Sequence, residues 1–375
     1  MKFRINLSYN PIDGNKIAKT LEAYHSRHHS EIVRDFENQI KDLTGSKYVV
    51  ALNTGTAAIH LALRALGVTK GDYVLVSTFT YVASVNPILY QEAIPFFVDS
   101  ERETWNMDPE LLEKAIERLI AEKKKPKAII LVHTYGMPAK LDEILSIANH
   151  HNIPVIEDAA EAIGSYYKGK HVGSFGAIGT LSFNTNKIVT TFGGGAILTE
   201  SEEHYKKILF WAAQSREDKP YYEHLEVGFN YQMSPINAAV GLTEWTDLSE
   251  KLKERAVIFE KYRHALKEIP GVHFQEQGDD KRCNYWFSTL LIDQKRTPNQ
   301  VEAKDVMQKL AEKGIEARLM WHPMHRQPVF QEYESILNGV SDQLFKEGLC
   351  LPSDHYAFLH QQEVILSIQN CIIKK

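Results

Sequence analysis

The sequence predicts an α/β fold with a large domain, in which helices cover a mixed, mainly parallel sheet, and a smaller C-terminal α/β domain. Two observations lead to this prediction. Through the first two-thirds of the chain, short runs rich in Val and Ile alternate with segments of helical periodicity, a pattern typical of parallel strands joined by crossover helices. Near Trp245 the pattern changes to a long charged helix. A shorter second set of elements follows it, which indicates a separate small domain.

The predicted elements of the large domain follow one another in regular order. Each short apolar run is assigned as a strand, and each amphipathic segment between two runs as a helix. The order is strand Tyr48–Leu52, helix Thr56–Leu66, strand Tyr73–Val76, helix Ser84–Tyr90, strand Ile94–Val98, helix Glu110–Lys123, strand Ala128–His133, helix Leu141–His150 and strand Pro154–Glu157.

Two later strands make the predicted sheet mixed. Thr180–Phe183 and Ala196–Thr199 are joined by a loop rather than by a helix, and parallel neighbours need a longer crossover than that. The small domain is predicted from strand Phe287–Ile292 and helix Val301–Lys313. We place the boundary near the start of the charged helix, so that the domains span residues 1–245 and 246–375.

Composition and charge exclude several classes of protein. The chain has 375 residues and a net charge of −5, which argues against a nonspecific nucleic-acid surface. Its apolar runs are too short to span a bilayer, and the N-terminus lacks the apolar region of a signal peptide, so we expect a cytoplasmic protein. The three cysteines are far apart, and neither they nor the paired histidines have metal-ligand spacing. No metal site is therefore predicted.

Four segments follow predicted strand ends, where ligands bind in open α/β sheets. The first is Asn53-Thr54-Gly55-Thr56, between a strand and a helix. Gly55 permits close approach of the backbone, and a helix N-terminus favours an anion. A threonine before a helix is equally well explained as an N-cap. The segment matches neither the P-loop nor the dinucleotide-binding glycine motif, which disfavours those ligands.

Two further segments offer contacts for a flat ring. Asp158 follows the apolar strand Pro154–Glu157, and a carboxylate fixed there could keep a pyridine nitrogen protonated. The alternative is that Asp158 caps the next helix. Tyr81 follows strand Tyr73–Val76 and could stack on such a ring. Packing in the core explains Tyr81 equally well.

The fourth segment carries a candidate nucleophile. Lys187 lies in a turn after an apolar strand, among small polar residues and shortly before Gly193-Gly194-Gly195. Burial and a nearby cationic ring would lower its pKa, as nucleophilic attack requires. Ser182, at the start of the same segment, could contact a phosphate. A lone lysine is ordinarily a solvated surface group, so the surroundings of Lys187 carry this interpretation.

Together these segments resemble the sugar-nucleotide aminotransferases of the DegT/StrS family, which have fold type I of the pyridoxal 5′-phosphate (PLP) enzymes. The resemblance runs from about Leu7 to Ser353. Its most specific motifs are IEDAAEAIGS, SFNTNK with the following GGG, GFNYQMS and EARLMWHPMH. Within the family, the chain is similar to the 4-aminotransferases of the UDP-N-acetylbacillosamine pathway, through the NKIVTTFGGG, YEHL and MHRQ runs.

The resemblance implies an activity and a set of contacts. L-glutamate would donate an amino group to C4 of a nucleotide-linked, UDP-type, 4-keto-6-deoxy-N-acetylhexosamine for polysaccharide or glycan biosynthesis. Lys187 would form the Schiff base with PLP and shuttle the proton. Asp158 would pair with the pyridine nitrogen, and Glu161 would lie against the ring. The remaining implied contacts are Gly55, Thr56 and Ser182 for the phosphate, Tyr81 for stacking, Asn230 of the partner subunit in a homodimer, and Arg216, Arg318, Trp321 and His325 for the substrate.

Two departures from the family pattern bear on the substrate. Gln232 stands where many relatives have an arginine, so Arg216 or Arg318 would have to bind the substrate anion. The stretch Tyr24–His29 differs from the segment that borders the nucleotide in relatives. GDP- and TDP-linked ketosugars, as in perosamine-type enzymes, are therefore alternatives to UDP, and a non-catalytic PLP-binding regulator is a third. A pyridoxamine-dependent dehydratase is disfavoured, because those relatives lack the lysine that this chain keeps.

Overall fold

The strands of the chain form one large sheet and two small ones. The computed structural model describes residues 3–8, 13–24 and 29–373, so most of the stretch between Tyr24 and His29 lies outside the described residues. The strands are β1 (Tyr48–Leu52), β2 (Tyr73–Ser77), β3 (Ile94–Val98), β4 (Ala128–Val132), β5 (Val155–Asp158), β6 (Tyr166–Tyr167), β7 (Lys170–His171), β8 (Ile178–Ser182), β9 (Gly195–Thr199), β10 (Val272–Phe274), β11 (Lys281–Arg282), β12 (Ser288–Ile292), β13 (Arg318–Leu319), β14 (Ser335–Ile336) and β15 (Gly348–Leu351).

Helices cover the sheets. They are α1 (Gly14–Tyr24), α2 (His29–Thr44), α3 (Gly55–Ala65), α4 (Asn86–Tyr90), α5 (Pro109–Ala121), α6 (Leu141–His150), α7 (Glu202–Ala212), α8 (Pro235–Trp245), α9 (Leu248–Leu266), α10 (Ala303–Glu312), α11 (Val340–Glu347) and α12 (His355–Ile373). In the described part of the chain, no helix is long and apolar enough to cross a membrane.

The large sheet has eight strands in the order β1-β9-β8-β5-β4-β2-β3-β14. From β8 to β14 all neighbours are parallel, and β9 is antiparallel to both β1 and β8. The antiparallel β8–β9 pair agrees with the predicted loop connection. Because β4, β5 and β8 are parallel, their carboxyl ends lie at the same edge of the sheet.

Sequence signals fix where several helices begin. The Asp108 carboxylate accepts from the backbone N–H groups of Glu110 and Leu111, and Pro109 stands at the first turn of α5. The Thr54 hydroxyl caps α3. Prolines and hydroxyl or carboxylate caps are preferred at these positions because the first N–H groups of a helix have no intrahelical acceptor. These caps set the direction in which each helix leaves its strand.

The C-terminal part of the chain builds a four-stranded antiparallel sheet in the order β10-β12-β15-β13. Its apolar core includes Ile258, Leu290 and Leu310, and also Ile5 from the N-terminal segment. Conversely, β14 comes from the C-terminal part of the chain but pairs with β3, and so it adds a strand to the large sheet. Two segments therefore cross the division at residue 245 that the sequence predicts, and that division stays a prediction.

The described structure has the predicted fold class. Strands β1 and β3 and helix α6 have the predicted bounds, and the other predicted elements differ from the structure by a few residues at their ends. The long charged helix predicted from around Trp245 to Leu266 is α9, and α8, which the sequence does not predict, ends at Trp245 just before it. The short strands β6, β7, β11, β13 and β14 were not predicted, because two-residue strands carry no periodicity.

Candidate active site

A cavity of about 370 Å³ lies at the carboxyl ends of the parallel strands. β4, β5 and β8 end there, and α3 begins beside them. The C-terminal third of the chain adds Trp286, Arg318 and Trp321 to the lining. The cavity therefore stands at the sheet edge where ligands of α/β proteins bind, and its size suits a small organic molecule.

An anion cradle forms at the N-terminus of α3. Thr54 Oγ1 accepts from the backbone N–H of Ala57 at 2.9 Å, and among the described residues the N–H groups of Gly55 and Thr56 have no acceptor. Ser182 lies against this turn, since a Cβ on Gly55 would come within 3.0 Å of the Ser182 Cβ and 3.3 Å of its Oγ. A helix N-terminus carries partial positive charge, so these groups can hold a phosphate.

Asp158 is a buried carboxylate that two donors hold in place. The Ser84 hydroxyl donates to its Oδ2 at 2.7 Å, and the backbone N–H of Ala160 donates to its Oδ1 at 3.1 Å. The Ser84 Oγ also lies 2.7 Å from the Thr80 Oγ1. These hydrogen bonds fix the orientation of a carboxylate that is 4% exposed and lines the cavity.

Lys187 lies in the turn after β8 with a side chain that is 12% exposed. Its Nζ is 3.9 Å from Glu161 Oε1 and 3.8 Å from the centroid of the Trp286 ring. Burial lowers the pKa of Lys187 below its usual value, while the negative charges of Glu161 and Asp158 oppose that shift. A lowered pKa increases the fraction of neutral amine, which is the nucleophilic form.

Glu161 is the second buried carboxyl group of the cavity. Its Oε2 accepts from the backbone N–H of Tyr135 at 2.7 Å. Burial raises the pKa of Glu161 to about 7, although the positive charge of Lys187 and this hydrogen bond oppose the rise. Glu161 and Lys187 are therefore an electrostatically coupled pair, in which the charge of each favours the charged form of the other.

Glu157 contrasts with its neighbour Asp158, because successive residues of a strand face opposite sides of the sheet. Its carboxylate accepts from His133 Nε2 at 2.9 Å and from the backbone N–H groups of Gly173 at 2.8 Å and Gly176 at 2.6 Å. Burial opposes the charge, but these donors outweigh burial and hold the pKa of Glu157 below its usual value. Glu157 thus binds the loop after β7 to the strand that carries Asp158.

Aromatic side chains form one wall of the cavity. Tyr81 is 54% exposed, and its ring centroid is 5.3 Å from that of Trp321. Trp321 stacks on Tyr135 at 5.7 Å with an interplanar angle of 9°. Tyr135 in turn stacks on Trp286 at 6.3 Å. An exposed tyrosine ring at the opening can stack on a bound flat ring, as the sequence predicts.

Most of the predicted site residues come together in this cavity, and three do not. Arg216 is exposed and does not line it. The backbone carbonyl of Asn230 accepts from the Asn53 side chain at 3.1 Å, outside the lining. The His325 side chain is 7% exposed, its Nδ1 lies 2.8 Å from the Thr78 hydroxyl, and it does not line the cavity. Those that do line it are Gly55, Thr56, Tyr81, Asp158, Glu161, Ser182, Lys187, Arg318 and Trp321.

Two contacting residues were missed at the level of sequence. Trp286 precedes β12 in the small sheet, and only the tertiary fold brings it to Lys187. Nothing in the local pattern around Trp286 indicates that contact. The sequence places Ser84 only at the start of the predicted helix Ser84–Tyr90, without a role in the site. Its spacing of four residues from Thr80 is a weak signal, because the two hydroxyls meet on one turn.

The residues of the cavity fit PLP. The cradle at α3 and Ser182 suit the phosphate, and the fixed Asp158 carboxylate suits the pyridine nitrogen. Lys187 supplies the amine that PLP enzymes require. A side chain at Gly55 would fill the space beside Ser182, so the glycine keeps the cradle open. Fold and cavity together define a PLP-dependent enzyme of fold type I.

Known proteins similar to this chain agree with that class. Residues 12–369 match the DegT/DnrJ/EryC1/StrS aminotransferase family. EpsN of Bacillus subtilis (strain 168), whose name describes it as a pyridoxal phosphate-dependent aminotransferase, is 45% identical to this chain. The match covers 86% of this chain and 83% of the EpsN chain. GDP-perosamine synthase of Escherichia coli O157:H7 is 36% identical over 89% of this chain and 87% of its own. The crystal structure of a DegT DnrJ EryC1 StrS aminotransferase from Brucella abortus has a TM-score of 0.88 at 27% identity, covering 96% of each chain.

The chain belongs to the DegT/DnrJ/EryC1/StrS aminotransferase family. It is a PLP-dependent aminotransferase.

Proposed function

We propose that the enzyme transfers the amino group of L-glutamate to C4 of a UDP-linked 4-keto-6-deoxy-N-acetylhexosamine, in the biosynthesis of a cell-surface polysaccharide or glycan. The placement of Lys187 carries the proposal. Its buried amine shares one cavity with the fixed Asp158 carboxylate and the anion cradle of α3. Amino transfer by PLP needs these three groups together. The similarity to GDP-perosamine synthases, at 33–36% identity, supports a nucleotide-linked sugar as the amino acceptor.

Bound PLP supplies a ring that withdraws electrons and stabilises the negative charge that develops on the carbon next to the transferred nitrogen. Asp158 holds a proton on the pyridine nitrogen, because its carboxylate is buried and fixed by Ser84 and Ala160. The N–H groups of Gly55 and Thr56 hold the phosphate. These contacts would keep the PLP ring in one orientation while glutamate is exchanged for the ketosugar.

Lys187 moves the protons of both half-reactions. In the first, its neutral amine would remove the proton from the α-carbon of glutamate and pass it to the C4′ carbon of PLP, and in the second it would take a proton from that carbon and deliver it to C4 of the sugar. Burial lowers the pKa of Lys187, which favours the neutral amine that the first step requires. Glu161, 3.9 Å from Nζ, would stabilise the positive charge of Lys187 while the amine carries the proton.

Substrate groups have candidate partners at the opening of the cavity. Arg318 has a side chain that is 62% exposed, and although Glu316 accepts from it at 2.7 Å, its guanidinium still has donors for a carboxylate or a phosphate. Tyr81 and Trp321 offer aromatic faces to a sugar ring. We assign further substrate contacts to Arg216 and His325, which requires that the opening be completed by another chain or by closure.

A homodimer would complete the site, with Asn230 of the partner subunit reaching the phosphate. Support comes from the segment that precedes Asn230 in the chain, where Tyr222, Leu225 and Val227 are 77%, 75% and 74% exposed. Exposed apolar side chains that cluster in this way mark association surfaces. We place the enzyme in the cytoplasm, because its three cysteines are all free thiols, as in reducing compartments.

The test is amino transfer to a panel of ketosugars. The purified enzyme with PLP and L-glutamate is incubated with UDP-, GDP- and TDP-linked 4-keto-6-deoxy sugars, with and without a 2-acetamido group. We expect the mass of an amino sugar with the UDP-linked acetamido substrate, and NMR coupling constants give the configuration at C4. The control is Lys187→Ala, which keeps the cradle and loses turnover.

Other outcomes identify the alternatives. Product only from a GDP-linked sugar without an acetamido group would favour the second candidate, an enzyme of the perosamine type, which the 36% identical relative supports. Glutamate consumption without product from any sugar would contradict the sugar assignment and leave the aminotransferase. A PLP absorption band that no amino donor changes would point to a non-catalytic PLP-binding regulator.

A further inference from the structure

Trp286 contacts Lys187 in two ways. Its ring centroid lies 3.8 Å from the Lys187 Nζ, so the amine rests on the aromatic face. Its indole N–H donates to the backbone carbonyl of Asn186 at 2.8 Å, at the residue that precedes Lys187. One side chain therefore holds both the reactive end of the lysine and the turn from which the lysine extends.

Trp286 is itself rigidly held. It is 1% exposed, and its backbone N–H donates to the Asn284 Oδ1 at 2.9 Å. The Asn284 amide donates to the carbonyl of Glu161 at 2.9 Å, and the buried Arg255 donates to the carbonyl of Trp286 at 2.5 Å. The hydrogen bonds that fix Trp286 therefore also fix the backbone of Glu161. The carboxyl group of Glu161 lies near the Lys187 amine.

The aromatic face suits an amine that must change its charge during turnover. Trp is the strongest of the aromatic side chains in attracting a cation, and the attraction grows when the cation is desolvated. The ring stabilises the ammonium form without removing a proton from it. Burial favours the neutral form of Lys187 instead, so Trp286 opposes burial and keeps both forms accessible.

We propose that Trp286 is the positioning residue of Lys187, and that its ring holds the amine cation over the cavity while its N–H fixes the turn. The inference rests on the proposed function, because it concerns the lysine that moves the protons. Trp286 acts through Lys187 rather than on the substrate. If Trp286 only filled the core, its removal would change the titration of Lys187 no more than the removal of another tryptophan of the core.

The test measures the titration of Lys187 in the full-length protein after removal of PLP. An amine-reactive acylating reagent is applied across a pH series, and mass spectrometry of the peptide that contains Lys187 gives the modified fraction at each pH. The variants are Trp286→Leu, which removes the ring and the N–H, and Trp286→Phe, which keeps a ring. The matched control is Trp245→Leu, since Trp245 packs on Phe36 with a centroid distance of 5.7 Å and does not line the cavity.

We expect Trp286→Leu to lower the apparent pKa of Lys187 by about 0.4–1.5 units, which is the size of a cation–π interaction converted at 1.36 kcal/mol per unit. The Phe variant falls between Leu and wild type, and the Trp245 control leaves the titration unchanged. A pKa in Trp286→Leu equal to or above the wild-type value would overturn the inference, because gain of solvent at the amine raises the pKa.

Borohydride reduction of the wild-type enzyme with PLP separates this result from the function itself. Reduction attaches PLP permanently to the lysine that binds it. If wild type is labelled at Lys187 while the titration of the variants is unshifted, only the role of Trp286 is wrong. If wild type is not labelled at Lys187, the proposed function fails, whatever the titration shows.

Discussion

The two buried glutamates near Asp158 allow a quantitative test, because burial raises the pKa of both, but only Glu157 has donors that outweigh burial. The pKa of Glu161 is raised to about 7, so the folded protein binds more protons than the unfolded chain between pH 4.5 and 7. Stability that comes from protonated Glu161 is therefore lost as pH rises through this interval. The pKa of Glu157 is lowered instead, by His133 and backbone donors that outweigh its burial.

The change Glu161→Gln removes the titrating group and keeps an oxygen for the N–H of Tyr135. With a pKa of 4.5 in the unfolded chain and about 7 in the folded protein, the wild type should lose about 2.5 kcal/mol relative to the variant between pH 5 and pH 8. The assay is urea unfolding of both PLP-free proteins at several pH values and one protein concentration. Titrating groups that do not interact with Glu161 cancel in the difference between the two curves, whereas Lys187 is coupled to Glu161 and contributes to it.

Glu157→Gln is the matched control, with the opposite sign. Its charge is stabilised in the folded protein, so the variant should be less stable than the wild type near neutral pH, and the deficit should stay constant down to about pH 4.5 and shrink only as pH falls below that value. The reasoning about Glu161 is refuted if its stability difference stays flat from pH 5 to 8, or if the Gln variant loses stability relative to the wild type as pH rises.

Three further changes test the cradle and the carboxylate. In Gly195→Ala the added Cβ would lie 2.5 Å from the Thr54 backbone. The free energy of unfolding should therefore fall by about 1–3 kcal/mol, and PLP titration should show weaker binding. An unchanged free energy together with unchanged PLP affinity would contradict the close packing. Ser84→Ala removes the 2.7 Å hydrogen bond to Asp158 and should weaken PLP binding about tenfold in an absorbance titration, whereas undiminished affinity would mean that Ser84 does not orient the carboxylate. Asp158→Asn should retain PLP and lower the rate of glutamate half-reaction on the order of a hundredfold in stopped-flow absorbance, and a rate close to wild type would count against its role at the ring nitrogen.

Local patterns predicted the parallel sheet because each strand and helix carries its own periodicity. β1, β3 and α6 were predicted to the residue, since the apolar run of each is clearly bounded. β14 was not predicted, because two residues added to the edge of a sheet leave no periodic pattern. The N-terminal segment at Ile5 forms an isolated bridge with Ile315 and packs in the core of the small sheet, and a contact so distant in sequence has no local signal.

The residues of the candidate site likewise divide into those that the sequence pattern could place and those that it could not. Asp158 and Lys187 follow strand ends, so their placement could be inferred from the topology of an α/β sheet. The contact of Trp286 with Lys187 could not, because it depends on how the elements after α9 pack against the large sheet. The position of His325 could not be inferred from the sequence either. Its side chain lies beside Thr78 rather than in the cavity lining, because the hydroxyl that follows β2 holds it.

Identifying the residue that PLP binds tests the central claim most directly. The purified wild-type protein is incubated with PLP, reduced with borohydride and digested, and the peptides are sequenced by mass spectrometry. The account predicts one phosphopyridoxyl group, on Lys187, and loss of that group when excess L-glutamate is added before reduction. Attachment to another lysine, or no attachment at all, would contradict it.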